Sequence, residues 1–192
     1  MNKNNFFLKG KHVCLCFPTY EDAKKDWFKW FNDPEINSLI GRYPWPNAKS
    51  DQKKYIDEVR RNKERLILGI KLKKNYKMIG VISLSKLNSL HRNAESSIII
   101  GNSKYKNGVH ALEALALLTE FGLMRMNLNR IHSSTLLLNS NAHNLNNILG
   151  WRKVGVCKKS HFYKGQYVDS IVYEILRQNW IKSEKRPLIK NE

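Results

Sequence analysis

Acidic residues are scarce in this chain of 192 residues, where 16 Asp and Glu stand against 34 Lys and Arg and give a formal net charge of +18. A field of this sign attracts anions such as nucleic acids, acidic membrane surfaces and phosphorylated small molecules. A lysine-rich soluble surface produces the same excess, so the charge alone leaves both interpretations open. The cations are spread along the chain, and no aromatic-rich basic strand marks an RNA-recognition motif.

Long apolar runs and paired cysteines are also missing. No run approaches the ~20 residues of a membrane-spanning helix, and no apolar core follows residues 1–5, so we expect no signal peptide. The three cysteines are odd in number, and Cys14 and Cys16 alternate with apolar residues, which places both on one face of a strand. We expect buried thiols in a reducing compartment and a cytoplasmic protein.

Several catalytic motifs are absent as well. The six histidines show no H-E-x-x-H spacing, and no second close Cys or His pair completes a zinc site, so we expect no metal. No G-x-S-x-G nucleophile elbow is present. No lysine–serine pair closes a glycine-bearing loop, which argues against a nucleoside-triphosphate P-loop.

The most informative segment that is present covers residues 94–101. An apolar strand-like run ends at Gly101, a polar loop reaches Gly108, and a helix-like run includes Glu113. Strand, loop and helix N-terminus together make a cradle for phosphates, because the first helical N–H groups have no intrahelical partner. This order suits a coenzyme whose pyrophosphate lies on backbone amides while its thioester arm follows the strand.

Hydrophobic periodicity predicts the order β-α-α-β-β-β-α-β-α-β-β, an α+β chain with one central sheet. Strands are expected at 13–17, 65–71, 78–84, 94–101 and 131–138 and on both sides of Lys164-Gly165, and helices at 19–31, 50–61, 112–124 and 141–149. The length fits a single domain, 1–192. We expect its core at about 13–180 and a frayed basic C-terminal tail at 181–192.

The segment resembles the acetyl-CoA-binding core of the GNAT acetyltransferases, in the branch that includes the ribosomal-protein N-terminal acetyltransferases. The resemblance rests on Ala94-Glu95, Ile100-Gly101, Tyr105 and Glu113-Ala114. Gly150-Trp151 stands where that family has Gly-Phe, and residues 161–170 resemble the last hairpin of the branch. The similarity extends over most of the chain, roughly 13–180.

This resemblance implies the GNAT fold: a central mixed, mostly antiparallel sheet of about seven strands, flanked by about four helices and splayed at a coenzyme cleft. It implies transfer of an acetyl group from acetyl-CoA, as cosubstrate, to a primary amine by direct attack. The acceptor it suggests is a protein N-terminus or similar amine, and the alternative acceptor is an amino sugar on a nucleotide carrier. A ribosome or other anionic partner fits the charge, and the oligomeric state is left open between monomer and homodimer.

The resemblance also implies catalytic residues. An ammonium must lose a proton before it attacks, and Glu95 aligns with the acid of the family's Ala-Glu pair, so it is the candidate base. The alternative is a structural carboxylate paired with a group such as Arg92. Asn146 stands where many relatives carry a tyrosine that protonates the leaving thiolate, so that acid is absent here. Tyr163 and His143 are the other candidates for reaching the site.

Coenzyme binding is assigned, by the same resemblance, to three strand residues, a loop and the region after the fifth main strand. The residues are Ile98, Ile99, Ile100, Lys106, Asn107, Gly108, Val109, His110, Ala111, Asn139, Ala142 and Asn146. The family's glycine-rich turn matches strictly only at Ala111. Val109 falls on a glycine position, and β-branched residues resist positive φ. Either the turn is reshaped, or Gly108 is the operative glycine and the register slips by one.

An acceptor pocket is predicted at Trp27, Trp30, Asn32, Tyr43 and Trp45. Aromatic stripes more often belong to the core, which is the competing interpretation. A basic nucleic-acid-binding module is the non-enzymatic alternative, and we rank it below the enzyme because the cations are not clustered on one strand face.

Overall fold

The computed structural model describes residues 6–40, 46–61, 64–106 and 108–186. In these ranges eight strands form one sheet in the order β1-β2-β3-β4-β5-β6-β8-β7. All neighbouring strands run antiparallel except β5 and β6. The strands are β1 Leu8–Lys9, β2 Val13–Cys16, β3 Leu66–Leu72, β4 Met78–Asn88, β5 Asn93–Ile100, β6 Arg130–Leu136, β7 Arg152–Tyr163 and β8 Gln166–Leu176.

Helices cover both faces of this sheet. Helix α1 comprises Tyr20–Asp22, a π-helical segment at Ala23–Trp27 and Phe28–Trp30, and α4 comprises Val109–Glu120 and a π-helical segment at Phe121–Arg125. The others are α2 Pro34–Leu39, α3 Lys49–Arg61, α5 Ser140–Ile148 and α6 Arg177–Ile181. The α+β class and the predicted order are confirmed.

Three short elements were not predicted: β1, α2 and α6. Asp33-Pro34 was interpreted as the end of a helix, and it also begins the next one. The Asp33 carboxylate accepts hydrogen bonds from the N–H groups of Glu35 and Ile36, and proline suits the first helical position. A stop signal and a start signal therefore coincide within two residues.

The predicted start of α1 is confirmed. The Thr19 hydroxyl accepts from the Asp22 N–H, and the Asp22 carboxylate accepts from the Thr19 N–H, which is a complete capping box. The same carboxylate lies 2.8 Å from Nζ of Lys71, a β3 side chain that is only 2% exposed. A buried ammonium needs such a partner, so this ion pair fastens α1 to the sheet.

The core consists of two clusters, one on each face of the sheet. Alternate β3 residues belong to different clusters. Leu68 and Ile70 pack with α4 in the first cluster, and Ile67 packs with α1 and α3 in the second cluster, on the opposite face. Trp30 belongs to the second cluster, and a Cβ at Gly101 would lie 2.0 Å from its indole ring. The glycine that ends the apolar strand therefore lets α1 lie directly on the backbone.

The Glu113-Ala114 pair of the motif has a structural role. The Glu113 carboxylate accepts hydrogen bonds from the backbone N–H groups of Lys11, His12 and Val13. These are the residues at the turn between β1 and β2. Glu113 thus holds α4 against the first hairpin, while Ala114, the next residue of the same helix, is fully buried.

Two sequence-based expectations were wrong in part. Cys14 and Cys16 are buried, but Cys157 is exposed because it lies on the edge strand β7. The predicted frayed tail is ordered as far as Arg186, whose guanidinium donates two hydrogen bonds of 2.8 Å to Glu120. Trp180 donates a third from its indole N–H. Residues 187–192 lie outside the described ranges.

The Glu120 carboxylate makes the free energy of unfolding depend on pH. Burial raises the pKa of Glu120, but the hydrogen bonds from Arg186 and Trp180 outweigh burial and hold the pKa below its ordinary value of 4.5. A lowered folded-state pKa contributes stability above the unfolded-state value, and that stability is lost as the pH falls through the folded-state value.

We predict that Glu120→Gln lowers the free energy of unfolding at pH 7 by about 1–3 kcal/mol, because a buried charge-assisted network is lost. The difference from wild type should shrink as the pH falls below 4.5, when wild type also loses the charge. Denaturant unfolding at several pH values measures this. Glu184→Gln, an exposed change of equal charge nearby, is the control, and an equal effect of both variants would contradict the prediction.

Candidate active site

A cleft opens where β5 and β6 separate. The two strands pair in parallel at Asn93↔Arg130, Ala94↔Ile131 and Glu95↔His132, and no pairing follows. Beyond that point they enclose a cavity of about 170 Å³. The predicted splay is confirmed, and Glu95 lies at its closed end.

One edge of β5 is left free along this cleft. The Gly101 N–H donates to Ile79 C=O at 3.0 Å, which continues the β4–β5 ladder. Because backbone groups alternate along a strand, the N–H and C=O groups of Ser96, Ile98 and Ile100 point toward the gap. An extended ligand that carries amides can pair with this edge as a further strand would.

The N-terminus of α4 lies beyond the open end of that edge. Gly108 precedes the helix in an extended conformation (φ −112°, ψ 173°) and supplies no side-chain cap, and the first turn holds no acidic residue. The N–H groups of Val109, His110 and Ala111 are therefore open to an anion. Val109 takes no positive φ, so the turn is built without the left-handed residue expected at that position.

Donor side chains surround this helix end. Burial, followed by the neighbouring His12, lowers the pKa of His110, so its ring is mostly neutral at pH 7. Its Nδ1 is buried and has no hydrogen-bond partner among the described residues. Lys106 ends the short 3-10 turn Ser103–Tyr105, and Asn107 lies outside the described residues.

Glu95, the predicted base, reaches into the cleft from β5. Its side chain is 24% exposed and lies 2.7 Å from Nζ of Lys86. Lys86, and not Arg92, is therefore its partner, while Arg92 contacts Asn127 instead. The carboxylate is accessible from the cleft and held in place by one exposed lysine.

Sequence reasoning missed a charged network beside Glu95. Arg130 donates to Nδ1 of His132 at 3.1 Å and also binds Glu174, which contacts Arg152. Burial, followed by Arg130, lowers the pKa of His132. Burial raises the pKa of Glu174, but the two arginines outweigh it and hold the value below normal. The alternation Arg130, His132, Ser134 along β6 was the available signal.

The predicted site residues of the α5 region and of β7 differ in whether they line the cleft. Asn139, Ala142 and Asn146 line the cleft, and the Asn139 side chain also caps α5 by accepting from the Ala142 N–H. Tyr163 lies near the tip of the β7–β8 hairpin and does not line the cleft. His143 is held between the Tyr173 hydroxyl and the Leu137 carbonyl. The catalytic role of Tyr163 stays a prediction.

Of the strand residues, Ile98 lines the cleft, Ile100 packs against the first core cluster, and Ile99 faces the opposite side of the sheet. On that side Ile99 borders a second pocket. Its lining includes Trp27, Phe31, Tyr55, Arg65, Ser83 and Ser85. Ile40 and Ser97 line both cavities, so the two meet there.

Of the described residues predicted for the acceptor, Trp27 lines this pocket, and Trp30 and Asn32 do not. Trp30 packs on Gly101, and the Asn32 amide bonds to backbone groups of Phe28 and Asn47. Tyr43 and Trp45 lie outside the described residues. Phe31, of the same aromatic stripe as Trp27, also lines the pocket, and the aromatic character of that stripe was the signal in the sequence.

A splayed parallel strand pair, an open helix N-terminus and a carboxylate at the closed end define a transferase that uses a coenzyme A thioester. Residues 12–152 match the sequence model of the family described as "Acetyltransferase (GNAT) domain". The chain therefore belongs to the GNAT acetyltransferases. It is an acyl-CoA-dependent acetyltransferase with acetyl-CoA as cosubstrate, and no group of side chains suited to a metal occurs among the described residues.

Known relatives are distant in sequence. An uncharacterized N-acetyltransferase p20 from Bacillus licheniformis is 22% identical over 79% of this chain and 86% of its own length. A crystal structure of spermidine N-acetyltransferase from Vibrio cholerae with CoA and spermine superposes with a TM-score of 0.82, at 19% identity, over 90% of this chain and 99% of that one.

A third protein, RimJ from Mycobacterium smegmatis in complex with CoA-disulfide, gives a TM-score of 0.77 at 18% identity, over 90% of this chain and 86% of that one. At these identities the superpositions establish the GNAT fold and no finer assignment. In the part of the chain that is described, no helix is long and apolar enough to span a bilayer.

We predict that Gly108→Ala weakens coenzyme A binding and leaves the fold intact. Its φ is open to any residue, and the nearest atom to a new Cβ, Nδ1 of His110, lies 3.4 Å away. A methyl group there would keep the pyrophosphate off the helix amides, at a cost of about 1.5–3 kcal/mol in binding free energy. Isothermal calorimetry measures the affinity.

Two further variants complete this test. Lys106→Glu should weaken binding by a similar amount, because a phosphate contact becomes a repulsion. Val109→Ala, in the next position, is the control and should bind normally. A Gly108→Ala protein with wild-type affinity would show that the pyrophosphate does not approach this turn.

Proposed function

We propose that the protein is an N-acetyltransferase in which acetyl-CoA occupies the β5–β6 cleft and the amine enters from the second pocket, with a protein N-terminus as acceptor. The observation that carries this proposal is that the two cavities meet at Ser97 and Ile40, beside the Glu95 carboxylate. Donor and acceptor sites then approach the same point from opposite faces of the sheet.

The free edge of β5 orients the donor. The Ile98 N–H points into the cleft and is a suitable donor to the thioester oxygen, on which negative charge develops during attack. The phosphates would lie at the α4 N-terminus near Lys106 and His110, where donors are unpartnered. Binding at both ends fixes the acetyl carbon near the closed end of the cleft.

Glu95 would prepare the amine. The ammonium proton passes to the carboxylate, directly or through water, and the freed lone pair attacks the acetyl carbon. Its partner Lys86 is 77% exposed and lies outside the cleft lining, so the carboxylate keeps one side toward the acceptor.

The charge of the acceptor pocket favours a peptide over a polyamine. Among its described lining residues there is one cation, Arg65, and no carboxylate, so a polycation meets no counter-charge. The Trp27 indole N–H is buried without a partner among the described residues and, with the Ser83 hydroxyl, offers hydrogen bonds to peptide carbonyls. This supports a place beside the ribosomal-protein N-terminal acetyltransferases.

An amino sugar on a nucleotide carrier is the second candidate. Arg65 and the overall charge of +18 would both attract its pyrophosphate, and aromatic walls suit a sugar or base. The same charge would suit a ribosome as a partner. A cytoplasmic location fits the three free thiols, of which Cys157 is exposed.

We predict that Glu95→Gln lowers turnover by about 10²–10⁴ while coenzyme affinity stays nearly unchanged, because only the proton acceptor is lost. Activity should recover in part at high pH, where the amine deprotonates unaided. Steady-state kinetics from pH 6 to 10 with thiol detection measures both effects.

Lys86→Met separates catalysis from structure in this experiment. It breaks the ion pair and leaves the carboxylate in place, so it should retain most of the turnover. If Lys86→Met and Glu95→Gln lose activity equally, the ion pair matters and Glu95 is not the base.

For the acceptor, we predict that peptides with free N-termini are acetylated faster than spermidine at equal concentration, with UDP- and dTDP-linked amino sugars as the third panel. Arg65→Glu should shift the ratio of kcat/KM toward spermidine, since it reverses the pocket charge. Arg61→Glu, an exposed change of equal charge at the end of α3, is the matched control. A wild-type enzyme that prefers spermidine would overturn the peptide assignment and leave acetyl transfer itself intact.

A further inference from the structure

Three polar side chains on one side of the cleft have no described hydrogen-bond partner for their donor groups. Oγ of Ser133 and Nε1 of Trp151 are buried without partners, and the Asn146 amide forms no described side-chain bond. Trp151 and Asn146 are each 4% exposed, and all three residues line the cleft. Unpaired buried donors destabilise a fold, so a fold that keeps several in one cavity has a use for them.

Their position is set by the strand register. Ser133 is the first β6 residue beyond the last β5–β6 pair, so it lies at the vertex of the cleft. It is opposite Tyr173 on β8, and register partners share a face, so Ser133 points toward the core cluster that contains Tyr173 and Trp151. Asn146 adjoins Trp151, whose backbone N–H donates to its carbonyl at 2.9 Å.

Glu95 points the other way. The residue opposite Glu95 in the strand register is His132, which directly precedes Ser133 on β6. Successive side chains along a strand point to opposite faces of the sheet. The base and the acceptor pocket therefore lie on one face of the sheet, and the three donors lie on the other. An amine held on the first face and a thioester sulfur held on the second can therefore both reach an acetyl carbon that lies in the gap between the strands.

We propose that Trp151, Asn146 and Ser133 form a sulfur-binding site that stabilises the coenzyme A thiolate as it leaves. The site rests on the proposed function above. From Ile100 to Ser96 the free edge of β5 spans about 13 Å. The thioester arm of a coenzyme whose pyrophosphate is held at the α4 N-terminus, when it lies along this edge, therefore ends at this vertex.

The step balances without an added reactant. The amine nitrogen, which has given its ammonium proton to Glu95, forms the C–N bond, and the C–S bond breaks with its electron pair on sulfur. The nitrogen then loses its second proton to water and becomes the neutral amide. The indole N–H, the amide N–H and the hydroxyl then donate hydrogen bonds to the thiolate. Sulfur takes its proton from water on release, so no side-chain acid is required.

Trp151 carries the test, because phenylalanine keeps an aromatic ring there and removes the N–H donor together with part of the indole. We expect Trp151→Phe to lower kcat roughly 10- to 100-fold, the effect of losing a hydrogen bond to a charged group. Ser133→Ala, a smaller change, should act in the same direction. Thermal unfolding checks that both variants fold.

The decisive readout is the pKa of the coenzyme A thiol when bound, followed by thiolate absorbance in the ultraviolet. In wild type it should lie below the ordinary thiol value of about 8.5, and Trp151→Phe and Ser133→Ala should each raise it by about one pH unit. Ser134→Ala is the control, because that hydroxyl is already bonded to Ser170 at 3.1 Å and should leave the bound thiol pKa unchanged. Desulfo-coenzyme A, which has no sulfur, should bind wild type and Trp151→Phe equally.

The outcomes separate this inference from the proposed function. A wild-type protein that releases thiol from acetyl-CoA, with a bound thiol pKa that neither Trp151→Phe nor Ser133→Ala moves, would overturn the sulfur site alone. A wild-type protein that neither binds coenzyme A nor releases thiol with any amine would overturn both.

Discussion

The parallel pairing of β5 and β6, which stops after Glu95↔His132, is the constraint on which the site depends. Parallel strands need a crossover, and α4 supplies it, so the helix begins just past the open end of the gap. The backbone groups that would have paired across the gap are left for a ligand. The last pair also sends Glu95 to one face and lets Ser133 turn to the other.

Four of the scarce acidic residues stabilise contacts between elements of the fold. Glu113 binds three amides of the first turn, Glu120 holds the C-terminal segment, and Glu174 pairs with two arginines. Asp22 neutralises the buried Lys71. With these acids engaged at contacts between elements, most cations remain on the surface, which is why the net charge says more about partners than about the fold.

Buried polar atoms without hydrogen-bond partners among the described residues occur in three parts of the site. Donors are unsatisfied at the α4 N-terminus (His110), at the vertex (Ser133 and Trp151) and in the acceptor pocket (Trp27). Elsewhere in the cleft the polar groups are used internally, as in the Asn139 cap and the Ser134–Ser170 bond. An extended thioester and an amine acceptor would meet open donors at each of these places.

The candidate base Glu95 came from the family resemblance, whereas local signals in the sequence determined the order of elements, the capping box at Thr19 and the strand–loop–helix cradle. These depend on neighbours within one or two turns, which a sequence displays directly. The glycine-rich frame misjudged Val109, because the helix begins one residue after Gly108 with ordinary backbone angles.

The tertiary structure alone decided which aromatic residues border the acceptor pocket. A kink at Lys25 (φ −93°, ψ −118°) within the π-helical part of α1 alters the regular 3.6-residue spacing, so Trp27 and Phe31 border the pocket and Trp30 lies on Gly101. The tertiary structure likewise decided that Lys86 is the partner of Glu95 and that Trp151, Asn146 and Ser133 share a cavity. Such contacts join residues far apart in the chain through packing and strand register, and no local pattern encodes them.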